Sequence, residues 1–249
     1  MSRAQVIYEE STMEPEASAI APGAIQLSDY GLFENPPFRL ETALRSWQYQ
    51  WVKRTFDFVC STILILLFAI PGLLIAAIIS LSSEGPVFYR EERIGREGRT
   101  FRIWKFRSMY SNAAERVHIA ETHPSGKVLE WRMRKHLSDP RITAIGRFLR
   151  SWSLDELPQL FNVLHGEMSL IGPRPIVAAE TVYYGDFLSF YLAALPGLSG
   201  LWQVSGRSHV DYAKRVRLDA SYVQTWCLKS DLIIFLRTVP AVLGRKGAR

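Results

Sequence analysis

Cysteine is scarce in this chain: 249 residues hold two, Cys60 and Cys227, far apart in sequence. That excludes a disulfide framework and a zinc site built on thiolates. Glycine-rich nucleotide loops are missing as well. Neither G-x-x-x-x-G-K-[ST] nor G-x-G-x-x-G occurs, so P-loop and dinucleotide-fingerprint chemistry are ruled out. The five histidines never fall in H-E-x-x-H spacing, which removes the commonest metalloprotease arrangement. Internal repeats and low-complexity tracts are also lacking.

What is present begins with charge. The net charge is +6 and the isoelectric point about 9.4, so a polyanionic partner is expected. Nucleic acid, anionic lipid and a nucleotide substrate each satisfy that balance. The length suits one domain with a core plus appendages. The first forty residues are mixed polar with no apolar stretch, which predicts no secretory signal there. Residues 1–45 have scattered Pro, Glu, Ser and Ala without sustained period and read as a flexible tail.

The longest apolar run is FVCSTILILLFAIPGLLIAAIISL, from Phe58 to Leu81. It has no charge and is long enough to cross a bilayer. Pro71-Gly72 interrupts it midway, where proline removes a backbone hydrogen bond and bends a helix. Basic residues flank both ends: Arg45, Lys53 and Arg54 before it, Arg90 to Arg107 after it. Positive charge beside a membrane segment favours the cytoplasmic side. Two readings follow, a kinked helix that enters and leaves by one face, or a kinked helix that crosses.

Downstream, PVFY and FRIWKF flank the turn IGREGR and predict a β-hairpin over residues 86–110. Residues 111–140 are polar, with helix and loops expected. In RITAIGRFLRSWS, Ile142, Ile145, Phe148, Leu149 and Trp152 share one helical stripe, while Arg147 and Arg150 fall off it. Such a helix lies in a lipid interface or faces a core. PGLSGLWQVSGR, Pro196 to Arg207, reads as a glycine-rich loop, and helical pattern resumes over Asp219–Leu243.

The stretch SLDELPQLFNVLHGEMSLIGPRP, Ser153 to Pro175, holds the chemistry. One reading of Ser153-Leu154-Asp155-Glu156 is a capping box, Ser153 capping a helix and Glu156 reaching back. The other puts the same carboxylates to work. Amide dipoles at the helix start would lower the pKa of Asp155 and keep it ionised. An ionised carboxylate can attack phosphorus and divide one transfer into two. A neighbouring carboxylate helps hold Mg2+, which binds through one or two carboxylates plus substrate phosphates. Arginine gives bidentate phosphate contacts. Arg150 precedes the pair by five residues, and Arg174 is fixed between Pro173 and Pro175.

Several motifs occur together in order: KRTFD (Lys53 to Asp57), the proline-broken run, VFYREERIGREGRTFRIWKFRSM (Val87 to Met109), SLDELPQLFNVLHGEMSLIGPRP and PGLSGLWQVSGR. Over about residues 50 to 247 the chain resembles the bacterial sugar transferases, the monotopic polyprenyl-phosphate phosphoglycosyl transferases. With YAKRVRLDASYVQ and LIIFLRTVPAVL it looks most similar to members that start exopolysaccharide repeat units with galactose phosphate.

The resemblance implies a reaction: a sugar-1-phosphate passes from a UDP-sugar to undecaprenyl phosphate, with release of UMP, at the cytoplasmic face of a bacterial inner membrane. It implies Asp155 as covalent nucleophile, Glu156 as its partner with Mg2+, and Arg150 and Arg174 as phosphate ligands. Lys105, Arg107, Gln203 and Arg207 align near phosphate or nucleotide. It favours a re-entrant membrane helix broken at Pro71. The implied architecture is α+β and mostly helical: a membrane-association region over 46–84, then a cytosolic catalytic domain over 85–249 with interfacial amphipathic helices and a small β-hairpin. The lipid bilayer is the expected partner and nucleic acid is not. Two positions depart from the family pattern. Ile70 stands where many members place serine before the proline, and Ile176 where many place glutamate after GPRP.

Overall fold

The computed structural model describes residues 48–113, 139–206 and 210–244. The tail over 1–45, the polar segment 114–138 and Arg207 lie outside the described residues.

A π-helical turn, Gln48–Lys53, leads into helix α1, Arg54–Ser82, which contains Pro71. Strands β1 (Phe88–Ile94) and β2 (Thr100–Phe106) form the expected antiparallel hairpin. Helix α2, Ala144–Ser151, follows, and the Thr143 hydroxyl caps it by accepting from the Gly146 amide at 2.9 Å. A 3-10 turn, Leu154–Glu156, precedes α3, Gln159–His165. Strand β3 (Ser169–Ile171), α4 (Leu188–Ala193), β4 (Gly197–Ser199) and the single turn α5 (Leu201–Val204) come next. Helices α6, Tyr212–Gln224, and α7, Leu228–Leu243, complete the described chain. The architecture is α+β and mostly helical with a small hairpin, as expected, and it has a second small sheet that was not expected.

Two local expectations change. The glycine-rich segment after Pro196 is not a plain loop: β4 pairs in parallel with β3, and α5 follows at once. The helical pattern near the end is two helices, with the chain extended at Cys227 between them.

The core explains how α1 sits. Phe101 and Ile103 of β2, Leu160 and Val163 of α3, Leu170 and Ile171 of β3, Leu218 of α6 and Ile234 of α7 pack into one cluster. Phe56, Cys60, Leu64 and Ile65, from the first half of α1, pack against it. Ile75, Ala76 and Ile79, from the second half, join Phe106 and Leu149 in another cluster. Both halves of one helix therefore rest on the same body. The other face of α1 is apolar and uncovered: Leu66, Ile70 and Leu73 are each 72% exposed.

Polar contacts fix both ends of α1. Lys53 Nζ donates to Asp231 Oδ2 at 2.7 Å and to the Ile171 carbonyl at 2.9 Å. Asp57 accepts from the Ser169 hydroxyl at 3.0 Å and the Leu170 amide at 2.9 Å. At the far end the Arg107 guanidinium donates to the carbonyls of Ser83 and Glu84 at 2.6 and 2.7 Å. Orphan carbonyls at a helix C-terminus need such donors.

Candidate active site

The site is built where β2, the turn after α2 and the two proline–glycine loops meet. Side chains alternate along a strand, so Phe101 and Ile103 turn into the core and Lys105, on the same face, emerges at its edge. Arg93 pairs opposite Phe101 and so shares that face.

The carboxylates arrive by a sharp turn. Ser153 adopts φ 56°, the left-handed region, and makes no side-chain cap. The capping box is therefore absent. A non-glycine residue in this region costs about 1 kcal/mol or more. The turn redirects the chain so that Leu154–Glu156 forms a 3-10 turn, ahead of an α3 that starts just after Pro158.

Asp155 is buried, 9% exposed, and Glu156 is partly open. Lys105 Nζ lies 3.4 Å from Glu156 Oε1. The Asp155 pKa is pushed up to about 6, by burial first and by the Glu156 charge second, while Lys105 and Arg150 pull it down. The expected lowering by amide dipoles is overturned. A short 3-10 turn offers few aligned amides, and desolvation of the charged form outweighs them.

Arg174 comes in from the other side. Two backbones cross closely there: Gly172 N donates to Ser199 O at 2.9 Å and Gly197 N to Pro173 O at 2.7 Å. A Cβ on Gly197 would meet Gly172 N at 2.1 Å, so only glycine allows the approach. Pro173 and Pro175 then hold Arg174 facing Trp202, its guanidinium carbon 5.4 Å from the ring.

A cleft lined by Arg93, Ile103, Lys105, Glu156, Gln159, Arg174, Pro175, Gly197, Leu198 and Gln203 results. Of the sequence-predicted residues, it gathers Lys105, Glu156, Arg174 and Gln203, with Asp155 adjoining Glu156. Arg150 lies beside it, donating to Ser108 Oγ at 2.8 Å and acting on Asp155 through its charge. Arg107 is elsewhere, buried at the end of α1. Pro71 is in α1, away from the cleft lining.

Sequence reasoning passed over Arg93 and Gln159. Strand alternation across the hairpin could have placed Arg93, and Gln159 follows Pro158 in the motif itself. Among the described residues no group of three or more His, Cys, Asp or Glu is poised for a metal. Two adjacent carboxylates with hard oxygen donors do fit Mg2+ shared with substrate phosphates.

Comparison with known proteins agrees with this arrangement. A family profile described as "Bacterial sugar transferase" matches residues 48–245. The chain is 47% identical over 212 residues to an "Undecaprenyl-phosphate galactose phosphotransferase" of Salmonella typhimurium, covering 84% of this chain and 44% of that protein. It is 46% identical over 197 residues to the "Exopolysaccharide production protein ExoY" of Rhizobium meliloti, covering 79% and 87%. It is 43% identical over 205 residues to a "UDP-glucose:undecaprenyl-phosphate glucose-1-phosphate transferase" of Caulobacter vibrioides, covering 79% and 71%. The chain thus spans under half the length of the Salmonella relative and most of the Rhizobium one. A profile match across the hairpin, the carboxylate turn and both proline–glycine loops, with such identity, places this chain in the bacterial sugar transferase family.

Proposed function

We propose that this protein transfers a sugar-1-phosphate, a hexose phosphate with galactose phosphate foremost, from a UDP-sugar to undecaprenyl phosphate. UMP is released, and the reaction is the first membrane step of exopolysaccharide or other glycoconjugate synthesis. The names of the relatives supply the substrates. The observation that carries the chemistry is Asp155: a buried carboxylate beside Glu156, Lys105 and Arg150, next to a cleft that also presents Arg93 and Arg174.

An Asp155 oxygen attacks the phosphorus that bears the sugar. The new bond is a carboxylate–phosphorus bond, and the bond to the bridging oxygen breaks, so that oxygen leaves on UMP. The acyl phosphate is then attacked at the same phosphorus by an oxygen of undecaprenyl phosphate, and Asp155 leaves as the free carboxylate. This is covalent catalysis in two displacements. Lys105 and Arg150 favour the ionised form of Asp155 against burial and the Glu156 charge. Arg93 and Arg174 suit the diphosphate oxygens, since guanidinium groups bind phosphate bidentately. Asp155 and Glu156 would hold Mg2+, whose charge offsets repulsion between carboxylate and diphosphate.

The lipid acceptor requires the site to meet a bilayer. α1 is the one helix among the described residues long and apolar enough to cross a membrane. Both its halves pack on one body while the opposite face stays apolar. This supports a helix bent at Pro71 that enters and leaves at one side, seating the site on the cytoplasmic face of the inner membrane.

The test is intact-mass measurement of detergent-purified protein with Mg2+ and a panel of UDP-sugars, without lipid acceptor. A sugar-phosphate adduct with matching UMP, absent in Asp155→Asn, is expected. Turnover with added undecaprenyl phosphate but no adduct from any sugar would replace the covalent route by direct transfer. Free sugar phosphate in place of lipid-linked product would make the protein a hydrolase.

A further inference from the structure

Arg93 lines the cleft together with Arg174, and an indirect joint connects the chain segments that carry them. Arg93 precedes Ile94 at the end of β1. Ile94 meets Ile176, two residues after Arg174, in an isolated antiparallel bridge. Facing residues in such a pair can exchange two N–H···O bonds. One is direct: Ile94 N donates to Ile176 O at 2.9 Å. The return runs through a side chain. Ile176 N donates to the Tyr191 hydroxyl oxygen at 3.2 Å, and that hydroxyl donates to Ile94 O at 2.6 Å. An oxygen inserted in the second bond holds the two backbones wider apart on that side than a direct bond would.

The hydroxyl is locked in place. Tyr191, on α4, is 1% exposed. Its ring meets Tyr184 edge to face at 5.1 Å and packs in one cluster with Ile176 and Val216. A second brace acts on the Arg93 side chain. Glu180 Oε2 accepts from the Val177 amide at 3.1 Å and lies 4.0 Å from Arg93 Nη1. Glu180 Oε1 accepts from Arg215 Nη2 at 3.3 Å, so the carboxylate is itself fixed. Arg93 Nη2 pairs with Glu91 of its own strand. Arg93 Nε is buried and has no hydrogen-bond partner among the described residues. A buried donor left open beside a cleft suits an incoming acceptor.

We infer that Tyr191 and Glu180 are positioning residues that set Arg93 at a fixed spacing from Arg174, so that both guanidinium groups meet the diphosphate of the donor together. This rests on the reading of the cleft as a nucleotide-sugar site. Neither Tyr191 nor Glu180 is among the residues that line it. Arg174 has its own support in the bonds between Gly172 and Ser199 and between Gly197 and Pro173. Tyr191 registers the strand of Arg93 against that supported turn, and Glu180 ties the Arg93 guanidinium to the segment that follows it. Bidentate phosphate contacts depend on such fixed geometry.

The experiment uses the full chain in detergent with Mg2+, undecaprenyl phosphate and the UDP-sugar that wild type turns over best, well below every melting temperature. Donor KM, kcat and thermal melting are measured for Tyr191→Phe, Glu180→Gln, Arg93→Ala, Tyr191→Phe with Arg93→Ala, and Val223→Ala, a truncation in the main core. Tyr191→Phe should raise donor KM about fivefold and change kcat by less than about twofold. Glu180→Gln keeps an acceptor for the Val177 amide but loses the charge facing Arg93, and should raise donor KM about threefold. In the Arg93→Ala background Tyr191→Phe should add less than about twofold, since it acts through that arginine. Tyr191→Phe should melt lower than wild type, because it strands a buried amide and carbonyl. Val223→Ala should also melt lower, through lost packing, yet keep the donor KM of wild type. Unchanged donor KM in Tyr191→Phe, full additivity with Arg93→Ala, or an equal KM rise in Val223→Ala would each overturn the inference. If Tyr191→Phe does not fold, Glu180→Gln decides, and an unchanged donor KM there overturns it. Failure of wild type to use any UDP-sugar would instead sink the functional reading beneath it.

Discussion

Asp155 shows how one carboxylate can be tuned by neighbours of both signs. Burial and Glu156 raise its pKa to about 6, and Lys105 and Arg150 oppose them. In the proposed mechanism it attacks only when ionised, so kcat/KM should fall as pH drops through about 6. Lys105→Met removes a lowering influence and should move that limb to higher pH. Glu156→Gln removes a raising one and should move it lower in whatever activity remains. A pH–rate profile of each variant checks both directions. Stability follows the opposite preference. The folded pKa lies above the unfolded value of 3.8, so the fold favours the protonated acid. The resulting penalty grows as pH rises from about 4 through about 6 and is fully present at pH 8. Asp155→Asn should therefore be more stable than wild type at pH 8, by about 3 kcal/mol, and the gain should shrink near pH 4. Denaturant melts at both values check it. The sequence already singles out this residue. It does not give the pKa direction, because helix-dipole reasoning assumes an α-helical start, whereas Ser153 turns left-handed and leaves a short 3-10 turn.

At the scale of elements, α1 is secured by polar contacts that hydropathy does not reveal. Asp231 accepts from Lys53 Nζ, from the Tyr222 hydroxyl at 2.7 Å and from the Trp226 indole at 2.9 Å, with no exposure at all. Breaking one side of a buried pair strands the other charge and costs about 3–5 kcal/mol. Lys53→Met should be destabilised by that amount, and Lys53→Met with Asp231→Leu should recover part of it. Chemical denaturation of the three proteins measures the difference. The same network explains KRTFD as a motif: its lysine and aspartate tie the start of α1 to β3 and α7, and β3 runs into the Arg174 turn. Arg107 belongs to this scale as well. In sequence it sits in KFRSM and looks like a phosphate ligand, but three-dimensional packing gives its guanidinium to the end of α1. Nothing local to KFRSM could have shown that its partners lie over twenty residues earlier. The hairpin and α2, by contrast, were legible because alternation and a 3.6-residue stripe are local signals. The α2 stripe also serves both alternatives: Leu149 is fully buried, whereas Phe148 is half exposed.

Among the described residues, two long helices leave apolar faces uncovered. α1 exposes Ile63, Leu66, Ile70 and Leu73, and α7 exposes Leu228, Leu232, Leu236, Val239 and Leu243. The two helices touch through Phe56 and Phe235, whose rings meet edge to face at 5.9 Å. Uncovered apolar area of this extent marks an interaction surface, and a bilayer is the partner that the proposed lipid acceptor would demand. A straight helix of 29 residues is about 44 Å long, longer than the roughly 30 Å hydrocarbon layer. If α1 crossed that layer, the body bound along both its halves would be drawn into lipid, with Lys105, Arg107 and Arg150 beside it. Charged groups at that depth cost several kcal/mol each, roughly 2.5–3.5 on insertion scales. The proposed seating of α1 in one leaflet would leave the body in water and its apolar face in lipid, with both ends on the cytoplasmic side. In a background with Cys60 and Cys227 replaced, single cysteines at Gln50 and Glu84, both exposed, should react with an impermeant maleimide in inverted membrane vesicles. Neither should react in intact spheroplasts. Labelling of the two from opposite sides would establish a crossing helix, and the body's contacts with the second half of α1 would then have to be given up.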